Sequence, residues 1–524
     1  MTTKDQGPLH GPALSADLLI RALALGGDRP AIVEGGRTWS AAAVADEISR
    51  YAQVYEHWGI GVGAPTATLS GNRAEVLVQL GANMVTGARS TALHPMGSLD
   101  DQAYVLEDAG IDTLFYDPAS FEDRAFELQA RVPGLRLVAL APTPDAEDLQ
   151  TLGSAFGSRR LRRPAVGPDT IYQVAYTGGT TGRPKGVVGT CGSQVALTNI
   201  LLTEWDWRPG VRFLCCTPLS HAGRTAFLPT LLRGGALVVV PGFDPDRVLD
   251  AITRHSVTTT ILVPTMIYRL LDETKVTAAE IPTLERIFYG ASAIAPTRLA
   301  EGMDRLGPVF FQFYGQAECP MTVAVLRPDE HRLDHPDRLA SCGRPVPWLD
   351  VALLDDDGRE VPSGQPGEIC VRGPLVMQGY LNQPEQTAET LRGGWLHTGD
   401  VARADEDGYL TIVDRKRDVI ISGGFNVFSR EVEDVIASHP EVAAVAVIGV
   451  PDARWGEAVK AVVVRRSGAV TEAELIALVR DRKGAVSAPK SVDFVAAIPL
   501  SPLGKPDRKA LRAPFWPADG RQVN

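Results

Sequence analysis

Short apolar runs alternate with longer amphipathic stretches along most of this chain, and that alternation limits the fold more than any single residue does. "RPAIVEG", "APTATLS", "DTLFYD" and "LRLVALA" read as strands, and "SAAAVADEISRYAQVYEHWG" between them reads as a helix closed by Gly59. The rhythm returns in "ALVVVPGF", "VTTTILVPT", "LERIFYGAS" and "VFFQFYGQAE". Strands and helices strung in turn favour an α/β sheet with crossover helices. From about residue 345 the pattern changes to short strands and tight turns, "VALLDDDGREV", "GEICVRG" and "GYLTIVDR", which suggest a small antiparallel β unit. A compact α+β pattern follows the charged cluster "DRKRD" (414–418). The chain of 524 residues exceeds one ordinary core. The expected architecture is α/β, with a large N-terminal domain of doubly wound sheets plus a small β unit (1–414) and a small α+β C-terminal domain (415–524).

Charge and cysteine usage exclude several classes. The formal net charge is -11, which leaves no basic excess to displace counterions, so nucleic acid is not an expected partner. The six cysteines form no Cys-x-x-Cys pair and read as free thiols in a reducing cytoplasm. The N-terminal stretch lacks a basic start followed by an apolar run, so no signal peptide is expected. The longest apolar runs, such as "VAAVAVIGV", fall far short of the ~20 residues a membrane span needs.

One loop carries chemistry. "YTGGTTGRPKG" (176–186) follows the expected strand "TIYQVAYT" and precedes "SQVALTNILLTEW", which suits a helix. Strand, glycine loop and helix make the setting in which backbone N–H groups converge on phosphate. Thr177, Thr180 and Thr181 add hydroxyl donors, and Lys185 adds charge. The lysine follows Pro184 and precedes Gly186, so the common nucleotide loop, in which Gly-Lys is followed by Ser or Thr, is not matched.

The loop resembles the phosphate loop of the AMP-forming adenylating enzymes: acyl-CoA synthetases, peptide-synthetase adenylation domains and luciferases. Further motifs stand in the family's order. "FYGQAE" (313–318) resembles the adenine and magnesium motif, "GEICVRGPLVMQGYLNQPEQT" (367–387) a structural signature, and "WLHTGD" (395–400) the ribose motif. "DRKRDVIISGGFNVFSREVE" (414–433) resembles the hinge segment, and "PLSPLGKPDRKALR" (499–512) the terminal lysine motif.

The resemblance implies a two-step reaction. A carboxylate joins the α-phosphorus of ATP, pyrophosphate leaves, and a thiol, usually that of coenzyme A, attacks the acyl-adenylate. Thr177, Gly178, Gly179, Thr180, Thr181, Gly182 and Lys185 would grip the phosphates. Glu318, with Thr180, would hold Mg²⁺. Tyr314 would stack on adenine with Gln312 near its amino edge, Gly290, Ala291 and Ser292 would form the other wall, and Gly315, Gln316 and Ala317 complete the motif. Asp400 would accept from the ribose hydroxyls, with Arg415 beside it. Lys505 would be the catalytic lysine, bridging carboxylate and α-phosphate. His221 would border the acyl pocket, lined also by Ala222, Gly223, Gly290 and Gly315; Ala291 adds to these small residues, which leave room for a bulky acyl group. The family turns its C-terminal domain between the two steps; Arg417 aligns with the hinge, Gly423 and Gly424 would let the pantetheine arm pass, and Trp455 matches an aromatic at the tunnel mouth.

Two positions depart from the pattern. Gly178 stands where many members have serine, and Ala317 where threonine is usual. Each removes a hydroxyl that could donate to phosphate, a bond worth ~1.5–3 kcal/mol. The main reading is an acyl-CoA ligase for a hydrophobic acid (alicyclic, aryl or medium- to long-chain). Two alternatives stand beside it: an enzyme with weak adenylation, fed an acyl-adenylate by a partner adenylating enzyme, and a stand-alone adenylation enzyme that loads a carrier protein. A homodimer is compatible with either.

Overall fold

The computed structural model describes residues 11–177, 183–416, 418–422, 425–452, 454–466, 468–500 and 506–516. Gly178, Gly179, Thr180, Thr181, Gly182, Arg417, Gly423, Gly424 and Lys505 therefore lie outside the described residues.

Among the described residues the strands form four sheets. In the nine-stranded sheet, Phe310–Gln316, Arg286–Tyr289, Thr259–Leu262, Arg212–Cys215, Ala236–Val239 and Pro30–Glu34 run parallel. In the seven-stranded sheet, Ile171–Thr177, Arg89–Ala92, Pro65–Leu69, Thr113–Tyr116 and Arg136–Ala139 do the same. Parallel strands buried on both faces need crossover helices, and the alternation in the sequence supplies them. The four-stranded sheet (Asp350–Leu354, Gly367–Arg372, Leu396–Ala404, Leu410–Arg415) is wholly antiparallel. A five-stranded sheet with the helices Ser429–Ala437 and Glu472–Ser487 forms the C-terminal α+β unit.

The strands read from the sequence are all present; the structure adds one long-range pairing and corrects one expectation. "RPAIVEG" forms a hairpin with Arg37–Ser40 and on its other edge pairs with Ala236–Val239 in the nine-stranded sheet, away from the strands Pro65–Leu69, Thr113–Tyr116 and Arg136–Ala139. The glycine loop is not followed directly by a helix. Lys185–Thr190 forms a strand antiparallel to Ile171–Thr177, pairing Thr177 with Lys185, so the loop is a hairpin tip. The helix begins only at Cys191, capped by the Thr190 hydroxyl. "KGVVGT" extends because its β-branched pair fits a pleated, half-buried surface.

The three N-terminal sheets meet near this hairpin. Gly379–Tyr380 pairs with Val187 and Val188, stitching the "GPLVMQGY" segment to the seven-stranded sheet. The amide of Met377 donates to the carbonyl of Glu318, tying the same segment to the end of the nine-stranded sheet. Trp205, fully buried against Phe288 and Phe313 with its indole N–H on Thr322, anchors the strands beneath.

Candidate active site

Asp400 sits in the strand Leu396–Ala404, 5% exposed. Its Oδ2 accepts the Tyr314 hydroxyl at 2.7 Å, and its Oδ1 lies 2.9 Å from the Arg415 Nε on the paired strand. Two sheets thus converge on one carboxylate. Each oxygen keeps lone-pair capacity beyond these bonds. Burial, then the charge of Asp400, pushes the Tyr314 phenol far up, so it stays a hydroxyl donor. The charge of Asp400 raises the Arg415 guanidinium in turn. The Thr398 hydroxyl donates to the Ile369 carbonyl and accepts the Asp400 amide, fixing the turn that aims the carboxylate.

A second chain of contacts runs from the hairpin. The Lys185 ammonium lies 5.3 Å from the centre of the Tyr380 ring and donates to the Gln386 side chain at 3.0 Å. The Tyr380 hydroxyl donates to Glu318 Oε1 at 2.7 Å. Lysine and glutamate thus both meet one tyrosine, Lys185 from the hairpin strand over its ring and Glu318 from the turn after Phe310–Gln316 at its hydroxyl. Glu318 is partly buried and keeps acceptor capacity on both oxygens. A single carboxylate beside a phosphate site suits Mg²⁺, which takes hard oxygen ligands and completes its shell with substrate and water. Sequence reading missed Tyr380 and Gln386, because the 367–387 signature gives no hint of which side chain turns toward the site.

Gln312 and Tyr314 share one face of their strand. The Gln312 amide is buried and accepts the Tyr289 hydroxyl at 3.0 Å, which in turn meets His331 Nε2 at 2.9 Å. Gln316 reaches the Thr398 carbonyl at 3.4 Å. Gly290, Ala291 and Ser292 leave the end of the neighbouring strand; Ala291 and Ser292 are exposed and Ala291 has φ +67°. The side chain of Ala317 packs on the edge of the main core.

The chain's matches to known proteins bear on this arrangement. The AMP-binding enzyme model matches residues 20–381, and the AMP-binding enzyme C-terminal domain model matches residues 431–505. The chain belongs to the AMP-binding enzyme family. It is 48% identical to the medium/long-chain-fatty-acid–CoA ligase FadD8 of Mycobacterium tuberculosis (strain ATCC 25618 / H37Rv), over 98% of this chain and 92% of the relative. It is 36% identical to a feruloyl-CoA synthase of Amycolatopsis sp, over 91% and 94% of the two chains. Among solved structures, the amide bond synthetase McbA from Marinactinospora thermotolerans matches with a TM-score of 0.87 at 35% identity, covering 96% of this chain and all 100% of McbA. The o-succinylbenzoate CoA synthetase of Bacillus subtilis, in complex with its acyl-adenylate intermediate, matches with a TM-score of 0.83 at 28% identity, covering 97% and 99%. As a family member this close to a CoA ligase along nearly its whole length, the protein is an AMP-forming carboxylate–CoA ligase.

In this AMP-binding enzyme, His221 opens the short 3-10 helix Ala222–Ala226. Its Nδ1 lies 2.8 Å from the Ser220 hydroxyl, and its ring meets His94 edge-on at 4.9 Å. Burial, with His94 and Arg224 nearby, pushes its pKa down to about 4, so it is neutral at physiological pH. The expectation that small residues open a pocket here needs correction at three positions. A Cβ on Gly223 would lie 2.6 Å from the Thr217 carbonyl oxygen, one on Gly290 2.4 Å from that of Phe313, and one on Gly315 2.8 Å from the Met321 backbone. Backbone fills the space a side chain would take, so these glycines serve close packing and say nothing about acyl size.

On the C-terminal unit Trp455 is 38% exposed, flanked by Arg454 and Lys490. Its contacts with Arg454, Lys490 and Asp452 all lie within that unit. Glu368, Cys370 and His397 bring three ligand-type atoms within 4.8 Å of one another. Lys416 and Arg392 already lie beside Glu368, and its Oε1 accepts the Gly399 amide. Two cations there oppose a third, so this cluster holds the 398–400 turn in place rather than a metal. All six cysteines are free and buried, and no helix among the described residues is long and apolar enough to cross a membrane.

Proposed function

We propose that this enzyme activates a hydrophobic carboxylic acid as its acyl-adenylate and passes the acyl group to the thiol of coenzyme A. The observation that carries this reading is the pair of contact chains, Tyr314–Asp400–Arg415 and Lys185–Tyr380–Glu318. One provides a ribose-type acceptor and the other a phosphate-type cation with a carboxylate suited to Mg²⁺. The names of its relatives support an acyl group of medium to long chain or aryl type; an alicyclic acid belongs to the same proposal.

In the first step a carboxylate oxygen attacks the α-phosphorus, a P–O bond forms, and the bond to the β-phosphate breaks as pyrophosphate leaves. Two anions approach, so prearranged donors lower the barrier. Lys185, Thr177 and the loop residues 178–182 hold the leaving phosphates, Lys505 bridges carboxylate and α-phosphate, and Glu318 with Thr180 would hold Mg²⁺, which would neutralise charge on the phosphate oxygens. Asp400 and Arg415 hold the ribose, while Tyr314, Gln312 and the 290–292 turn hold adenine. In the second step the coenzyme A sulfur attacks the acyl carbon and AMP departs. A unit beginning at 415 turns about Arg417 between the steps, bringing Gly423, Gly424 and Trp455 to the pantetheine path. The free, buried cysteines support placement in the cytoplasm.

A second reading has one specific support. Gly178 and Ala317 each lack a hydroxyl common in the family, and on this reading adenylation is weak and the enzyme serves mainly to thioesterify a supplied adenylate. Two assays on one sample separate the readings. Carboxylic acids with ATP, Mg²⁺ and coenzyme A are followed for pyrophosphate; synthetic adenylates of the same acids with coenzyme A alone are followed for thioester. Product in both supports the complete ligase. Thioester from adenylates alone supports the second reading, and Ala317→Thr with Gly178→Ser is then expected to restore pyrophosphate release. Product in neither assay defeats both.

A further inference from the structure

Among the described residues, Arg224 is a cation without a carboxylate counter-ion. It lies partly buried in the 3-10 helix Ala222–Ala226, three residues beyond His221. Its Nη2 donates to the Gln173 side-chain oxygen at 3.0 Å, and among the described residues it forms no ion pair with a carboxylate. Burial is the main influence on its pKa and lowers it, and among the described residues the acidic group acting on it is Tyr172. The other titratable side chains grouped with it are His221 and His94, which bring no negative charge. A charge withdrawn from water is strongly disfavoured unless a partner meets it. The fold retains Arg224 in that state, which points to a partner that comes from outside.

The surroundings suit one. Arg224 lines a cavity together with Ser70, Ser90 and Ser220, walled on its apolar side by Val76 and Leu219. Ser70 directly follows the parallel strand Pro65–Leu69, and Ser90 belongs to the adjoining strand Arg89–Ala92. The end of a parallel strand is where open α/β sheets take ligands. Gln173, which holds the guanidinium, stands four residues before Thr177 on the strand that enters the phosphate loop. At ~3.3 Å per residue the two lie about 13 Å apart along the strand.

We propose that Arg224 and the serines around it form a second anion subsite, which receives a carboxylate at the far end of the acyl substrate. The inference rests on the ligase reading and narrows its acid: a medium-length chain, apolar in the middle, with a carboxylate at each end. One carboxylate is adenylated near the loop and the other is gripped by the guanidinium fork, whose paired N–H groups match carboxylate geometry.

The test compares matched acids: hexanoate with adipate, octanoate with suberate, and decanoate with sebacate. The kcat/KM for pyrophosphate release is measured in the wild type, Arg224→Lys and Arg224→Met. The expected result is a preference for the dicarboxylate of about tenfold or more at the best-fitting length, carried mainly in KM. Arg224→Lys keeps part of that preference and Arg224→Met reverses it. The Tm of each protein is read with and without suberate in the absence of ATP. Suberate is expected to raise the Tm of the wild type but not that of Arg224→Met. The monoacid preferred at every length by the wild type, or an unchanged ratio in Arg224→Met, overturns the proposal and leaves Arg224 as a brace for Gln173. Should Arg224→Met fail to fold, the ratio in Arg224→Lys and the wild-type Tm decide. Absence of pyrophosphate from every acid would defeat the ligase reading, while the suberate-dependent Tm would still decide the subsite.

Discussion

Asp400 holds Tyr314 and Arg415 while keeping acceptor capacity for a ribose, so its substitution acts on both. Asp400→Asn is expected to lower kcat/KM for ATP by roughly 10²-fold, because a charged acceptor is lost and the amide's N–H groups face donors. Steady-state pyrophosphate release checks this, with the rate from a supplied acyl-adenylate as the reference. Gly290→Ala is expected to destabilise by roughly 1–3 kcal/mol, since its methyl would overlap the Phe313 carbonyl oxygen; thermal unfolding reads that loss. His221 and His331 are both pushed down to about 4 by burial. Unfolded histidine titrates near ~6.5. Between those values the unfolded chain binds the extra protons, so this contribution to stability is complete above about 6.5 and is lost as pH falls toward about 4. Tm should fall over that window, and less steeply in His331→Gln. Asp400, Glu318 and Lys185 could be picked from the sequence because motif order singled them out. Tyr380, Gln386 and Arg224 could not, since nothing local says which way a side chain in a signature or a short helix points.

At the scale of elements, the alternation of apolar runs made about half of the strands readable, and amphipathic spacing made the helix Ala41–His57 so. Arg37–Ser40 and Lys185–Thr190 are among the strands that were not read. Each is short, and each is held by a hairpin partner rather than by its own periodicity. The C-terminal helix Arg508–Arg512 shows a further link. Arg508 bonds both oxygens of Glu433 at 2.7 and 2.8 Å, and Arg512 bonds Asp418 at 2.7 Å, next to the expected hinge. Arg508 stands three residues after Lys505 in sequence, so this ion cluster ties the helix that follows the lysine motif to Asp418. Asp414, whose carboxylate accepts the Ser429 hydroxyl, is pushed up to about 6, chiefly by burial. Its sign is opposite to that of the histidines: the folded state keeps a proton the unfolded state releases, so this contribution falls as pH rises from about 4 to about 6. Arg508→Met is expected to cost roughly 1–3 kcal/mol, less than for a fully buried pair because the side chain is 23% exposed. It is also expected to slow pyrophosphate release more than thioester formation from a supplied adenylate. Equal slowing of both steps would count against a tie to Lys505.

For the whole molecule, composition and rhythm were enough to foresee a large α/β body, a small antiparallel unit and a terminal α+β unit. They could not foresee that Pro30–Glu34 crosses to the second large sheet, because strand partners far apart in sequence leave no local trace. Nor could they separate glycines that clear a pocket from glycines that let two backbones touch, as at Gly223 and Gly315. The fold brings the ends of three sheets to one seam, and the proposed chemistry depends on that seam binding ATP so that its α-phosphate is attacked. The most direct test is the product balance with octanoate, suberate and an aryl acid, each with ATP, Mg²⁺ and coenzyme A. The expected result is equal amounts of AMP, pyrophosphate and acyl-CoA from at least one acid. ADP with phosphate, or thioester formed from a supplied adenylate but never from acid and ATP, would contradict it.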